Sequence, residues 1–184
     1  MFWSFLKIGF EHVVPFGYDH ILFIVALFFF NSKLKSAIIQ CSIFTLAHSL
    51  TLALVALGYI NVNSKFVEVV IALSIFIVAF ENIFQPTLKP WRLGLIFIFG
   101  LIHGMGFASA LRDFGLPKNE MIISLVGFNV GVEIAQIAII LFCYFAVSKW
   151  IIEKDWYQKK LVNPLSMVIS AIALFLAINR YLSN

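Results

Sequence analysis

The sequence predicts an all-α protein: a polytopic transmembrane helix bundle of about six spanning helices, preceded by an N-terminal interfacial or re-entrant helix. Two observations carry this expectation. Of the 184 residues, 62% are hydrophobic and only 12% charged, and the mean hydropathy is +1.00. A soluble domain is roughly half apolar and about a quarter charged, so too little polar surface is present to coat a globule in water. The apolar residues also fall into runs close to the ~20 residues that cross a bilayer.

Taken in order, the runs lie near 17–31, 37–59, 66–84, 93–111, 120–148 and 164–182. Breakers or charges separate them: Asn31-Ser32-Lys33, Asn61 to Lys65, Pro86 to Pro90, Gly115-Leu116-Pro117, and a longer polar loop ending at Asn163-Pro164. Residues 1–16 are an interfacial segment too short to span, with Trp3, Lys7 and Glu11 suited to a membrane surface. Met1 to Lys7 lacks a basic stretch followed by a small-residue cleavage site, so it does not read as a signal peptide. The whole of 1–184 reads as one integral membrane domain.

The net charge is +4 and the isoelectric point about 9.1. The basic residues lie mostly between apolar runs, as they do in membrane proteins, so nucleic-acid binding is set aside. Lys33, Lys35, Lys89, Arg92, Lys149, Lys154, Lys159 and Lys160 fall on one side of the expected topology, against Lys7, Lys65, Arg112, Lys118 and Arg180 on the other. The richer side is expected to be cytoplasmic, which leaves both termini on the outer, periplasmic side. Cys41 and Cys143 sit inside apolar runs without metal-ligand spacing and read as small buried hydrophobes.

Against this background the polar residues inside the runs stand out, because ionisable groups at membrane depth are costly and usually functional. Glu11 and His12, then Asp19 and His20, surround the start of the first run. Thr45, His48 and Ser49 occupy i, i+3 and i+4 of the second, which is one helical face. Glu68, Ser74 and Glu81 lie on the third, and His103 on the fourth. Asn129, Glu133 and Gln136 share a face of the fifth, while the last run reads as scaffold. Neutral imidazole is the commonest metal ligand and carboxylates complete many divalent sites. His12, Asp19, His20, His48, His103 and Glu133 are therefore the candidate ligands of a divalent metal ion, zinc or nickel/cobalt. Glu11, Thr45, Ser49, Glu68, Glu81, Asn129 and Gln136 are candidates for a pathway or for supporting contacts. Asp19 could alternatively cap its helix. Ser42, Thr51 and Ser74 read as interhelical hydrogen-bonding residues. Gly100-xxx-Gly104 and Gly127-xxx-Gly131 bracket His103 and Asn129, which suggests that the fourth and fifth runs cross closely at the site.

These stretches resemble the HupE/UreJ family of bacterial membrane proteins, in its second branch. The resemblance is carried by Gly9-Phe-Glu11-His12, by Gly17-Tyr-Asp19-His20-Ile-Leu-Phe, and by Phe44-Thr-Leu-Ala-His48-Ser-Leu-Thr-Leu52. It continues through Val67-Glu68, Ile71-Ala-Leu-Ser74, Glu81-Asn82, Gly100-Leu-Ile-His103-Gly-Met-Gly-Phe-Ala108 and Phe128-Asn129-Val-Gly131-Val-Glu133-Ile-Ala-Gln136. The family accompanies hydrogenase and urease gene clusters, and some members are described as nickel or cobalt permeases. The resemblance implies metal handling in a bacterial inner membrane, with His12, Asp19 and His20 matching the family's His…Asp-His signature. Six residues separate His12 from Asp19, where the nickel-permease branch has five, which leaves the metal's identity open.

Two functional classes follow. A permease would take metal from the outer face at His12, Asp19 and His20, pass it to His48, His103 and Glu133, and release it along Gln136 and Glu81. Its lack of thiolates argues against copper(I). A membrane-embedded zinc hydrolase, acting on a lipid or membrane-protein substrate, would use His20, His48 and His103 as ligands. Glu133 or Asp19 would then be the base, with Asn129 or Ser49 stabilising the oxyanion. The expected partners are the lipid bilayer and a metal ion, and a homo-oligomer is left open.

Overall fold

The computed structural model describes residues 1–84, 89–113 and 120–183, and the side chains of all of these except 108–113. The turn at Gly115-Leu116-Pro117, and Pro86, lie outside the described residues. Seven principal helices follow in order: α1 Phe2–Val13, α2 Tyr18–Phe29, α3 Leu34–Ala56, α4 Ser64–Phe84, α5 Pro90–Asp113, α6 Met121–Cys143 and α7 Asn163–Leu182. A π-helical stretch, Tyr144–Ser148, continues α6 to Ile151. Among the described residues five helices are long and apolar enough to cross a membrane, and the all-α polytopic bundle is as expected.

The first span differs from the sequence expectation of 17–31. α2 has 12 residues, roughly 18 Å at 1.5 Å per residue, which is too short for a hydrocarbon core of about 30 Å. α1 and α2 meet at a 71° bend and together qualify as one broken span or re-entrant pair. As one broken span they bring the number of crossings to six. α3 ends three residues before the expected 59 because Gly58, at φ 82°, takes up the left-handed position. Tyr59 N–H then donates to Leu54 O, and Gly58 N–H to Val55 O, which satisfies two of the terminal carbonyls.

Glycine decides the packing. A Cβ at Gly100 would lie 2.6 Å from the Phe44 carbonyl oxygen, and one at Gly104 would lie 2.2 Å from that of His48. A step of four residues on α5 thus matches four on α3, so these helices run parallel in close contact. In the same way Gly127 abuts the Phe2 carbonyl and Gly131 that of Leu6, so α1 runs parallel to α6. These findings correct the expected crossing: the two glycine pairs do not bring the fourth and fifth runs together. Each opens a groove for a different neighbour, α3 or α1. The third extensive pairing is α4 with α7.

A vestibule opens at one end of the bundle, and at the other, called the sealed end below, the described residues pack around a buried polar cluster. At the sealed end Arg92 is 1% exposed. Its guanidinium pairs with Glu81, donates to Gln40 Oε1 at 3.0 Å and to Asn82 Oδ1 at 3.2 Å, and lies 3.6 Å over the Phe30 ring. Arg92 was expected as a loop charge and Glu81 on the path inward. Both are instead committed to this cluster, in which the carboxylate and two amides compensate a charge removed from water. The loop before α7 folds over the same end, with the Tyr157 hydroxyl bonded to Ser32 and Ser148.

Candidate metal centre

The open end holds a vestibule of about 630 Å³, lined by Glu11, His12, Asp19, His20, Glu68, His103 and Arg180 among others. Three helices bring histidines to its lining, His12 on α1, His20 on α2 and His103 on α5, and His48 on α3 packs against them. Gly17 makes the first pair possible: a Cβ there would lie 2.1 Å from the His12 carbonyl oxygen, so only glycine allows the chain to turn this tightly. The His12 and His20 rings are consequently 4.6 Å apart between centroids. His48 lies 5.8 Å from His20 and 6.4 Å from His12, and His103 lies 5.6 Å from His20. His20, His48 and His103 are buried.

The nitrogens of this group are largely unpartnered. Among the described residues, His12 Nε2, His20 Nε2, His48 Nδ1 and Nε2, and His103 Nδ1 are buried without a hydrogen bond. Leaving a buried polar group unsatisfied costs about 1–3 kcal/mol, so five such atoms in one place are an expensive arrangement. His103 Nε2 has a partner, Ser74 Oγ at 2.9 Å.

Beneath the histidines lies an aromatic floor. Phe23, Phe44 and Phe99 each sit about one turn from His20, His48 and His103 on the same helix, towards the sealed end. Phe23 and Phe44 are 4.8 Å apart, and each lies about 5 Å from the His103 ring. The Arg92 cluster closes the bundle beyond this floor.

The carboxylates divide. Asp19 Oδ2 accepts from Arg180 at 2.8 Å, while Asp19 Oδ1 is buried and unpartnered. The N-cap of α2 is Gly17, so Asp19 is a first-turn acid rather than the cap. Glu11 makes an exposed pair with Lys7 at 3.7 Å, and Glu68 stands on the vestibule wall. Glu133 is elsewhere. It accepts from Ser42 Oγ at 2.8 Å and lines a second groove, between α3 and α6, with Thr45, Ser49 and Asn129. The two cavities share no lining residue. Gln136, fully buried, accepts from Thr45 at 3.1 Å.

The structure therefore gathers His12, His20, His48 and His103, keeps Asp19 at their margin, and places Glu133, Asn129, Thr45 and Ser49 apart. Thr45 and Ser49 line the groove while His48 turns to the histidine group, so the shared face expected for the three divides. The base and oxyanion roles of a hydrolase are not assembled around the histidines through Glu133, Asn129 or Ser49. Two contributors escaped the sequence reading. Arg180 looked like a terminal loop charge and Ser74 like interhelical glue; only tertiary packing connects them to Asp19 and His103. Thr51 does act as glue, bonding the Leu101 carbonyl at 2.7 Å.

A bundle of long apolar helices with a vestibule that ends on buried imidazoles is a polytopic membrane protein. A profile of the family described as HupE / UreJ protein matches residues 1–180. The chain belongs to the HupE/UreJ family. No curated protein and no solved structure matches it.

Among the described residues, no three His, Cys, Asp or Glu side chains are already set around one point as a metal cage. Imidazole is a donor type that borderline transition metals take. Two imidazoles on one ion, at metal–nitrogen distances of about 2.1 Å, place their ring centres on the order of 5 Å apart. The observed separations of 4.6–6.4 Å span that value.

Proposed function

We propose that the protein is a permease for a divalent transition-metal cation of the nickel/cobalt class, with the four histidines as its binding site. The observation that supports this reading is the convergence of five unpartnered imidazole nitrogens, three on histidines that line an open vestibule and two on His48 packed against them. Imidazole suits nickel, cobalt and zinc. Both cysteines are buried and neither lines the vestibule, so soft copper(I) would find no thiolate there. Family membership supports the same cargo. The vestibule faces the periplasm of a bacterial inner membrane in this reading, because the lysine-rich loops lie at the sealed end.

The residues divide the work. Glu11, Asp19 and Glu68 make the vestibule attractive to a cation. The imidazoles replace part of its hydration shell. Onward passage in this reading requires the phenylalanine floor and the Arg92–Glu81 cluster to part. Reconstituted vesicles loaded with a nickel-sensitive dye test the reading. Uptake should fall to the protein-free level in His48→Ala and His103→Ala. Unchanged uptake in both variants would contradict it.

A further inference from the structure

We infer that Arg180 is a tethered cation that holds the metal's place at Asp19, and so sets the affinity and release of the ion. This rests on the permease reading and deepens it. Arg180 Nη2 donates to Asp19 Oδ2 at 2.8 Å, and Nη1 donates to the Glu68 backbone carbonyl at 3.0 Å. The guanidinium therefore spans from α2 to α4 across the vestibule, which both residues line together with His12, His20 and His103. Asp19 and Arg180 side chains are each 22% exposed, so the pair is neither locked in the core nor dissolved in bulk water.

Asp19 immediately precedes His20. It is the only acid in the first turn of α2, where the helix N-terminus already favours its negative charge. One of its oxygens is bound by Arg180 and the other is buried with no partner. A divalent cation approaching His12 and His20 meets this half-used carboxylate and a positive charge in the same space. Binding through Asp19 requires the arginine to leave. Release is favoured when the arginine returns, because a charge-assisted, geometrically matched donor competes for the same oxygen. The last turn of α7 thereby becomes part of the binding site. Displacing Arg180 also frees its anchor on α4, which links occupancy of the vestibule to the packing of α4 with α7.

A support role makes the opposite forecast. If Arg180 only held Asp19 in position for the metal, removing it would weaken binding. Cobalt(II) titrations of the purified full chain in nanodiscs separate the two, using wild type, Arg180→Gln, Asp19→Asn and the double variant. Arg180→Gln is expected to tighten cobalt binding by about tenfold, in proportion to the loss of one charge-assisted competitor. Asp19→Asn should weaken binding, and in its presence Arg180→Gln should have no further effect. Weaker binding in Arg180→Gln, or an effect that persists beside Asp19→Asn, would overturn the inference. Should Arg180→Gln not fold, Arg180→Lys carries the test. Lysine keeps the charge without the two-point anchorage, so tightening is expected there too and must vanish with Asp19→Asn. Failure of the metal reading itself would look different: no variant, nor wild type, would bind cobalt.

Discussion

Ser74 fixes the tautomer of His103. The Ser74 hydroxyl has one proton, and it is directed at the Ile71 carbonyl 2.7 Å away. At its 2.9 Å contact with His103 Nε2 the serine must therefore accept, so Nε2 carries the hydrogen and Nδ1 presents its lone pair. That nitrogen is the buried, unpartnered one. Supporting contacts of this kind typically change metal affinity by about 10–100-fold. Ser74→Ala is expected to weaken cobalt binding by about tenfold at unchanged stoichiometry, measured by titration of the purified protein.

The α1–α6 contact positions His12. A Cβ at Gly131 would lie 2.1 Å from the Leu6 carbonyl oxygen and 2.8 Å from the Phe10 nitrogen, both backbone atoms that cannot swing aside. Gly131→Ala should push α1 outward, lowering both thermal stability and cobalt affinity. Gly94 has open space where a Cβ would go. There alanine should gain up to about 1 kcal/mol from helix propensity and leave binding unchanged. Thermal scans of both variants, with titrations alongside, check this pair.

Glu133 accepts from Ser42 and lines the second groove, not the vestibule. Glu133→Gln keeps the shape of that contact and is expected to leave cobalt stoichiometry intact, with affinity changed by no more than about twofold, as for separated sites. Loss of the metal in this variant would return Glu133 to the ligand set.

The Arg92 cluster should behave as a buried pair. Removing one partner typically costs about 3–5 kcal/mol, whereas replacing both with apolar groups is often close to neutral. Arg92→Met is thus expected to lower the melting temperature sharply, and Arg92→Met with Glu81→Leu to recover a large part of the loss. Scanning fluorimetry of the purified protein measures both.

The sequence carried the fold through composition and run length, since bilayer thickness leaves few alternatives to helices of this size. It also singled out all four histidines, because a histidine in an apolar run is conspicuous. What it lacked was direction around each helix. Thr45, His48 and Ser49 satisfy one-face spacing, yet the face is broad enough for His48 to enter one cavity while its neighbours line another. Arg92 and Arg180 were read as loop charges because both stand near the ends of runs. Their acceptors, Glu81 and Asp19, are 11 and 161 positions away. The broken first span was equally hidden: the run from Ile21 onward is apolar enough to suggest a complete helix, and nothing local reveals that α1 supplies the missing length.

The central claim is that the four imidazoles together bind one divalent cation, and the optical spectrum of cobalt(II) tests it most directly. Nitrogen ligation gives visible bands distinct from those of the aquo ion, so ligand type and stoichiometry are read in one titration. One cobalt per chain with a nitrogen-ligand spectrum, lost in both His48→Ala and His103→Ala, is the result expected. No such spectrum in the wild type, or an unaltered one in either variant, would contradict the account.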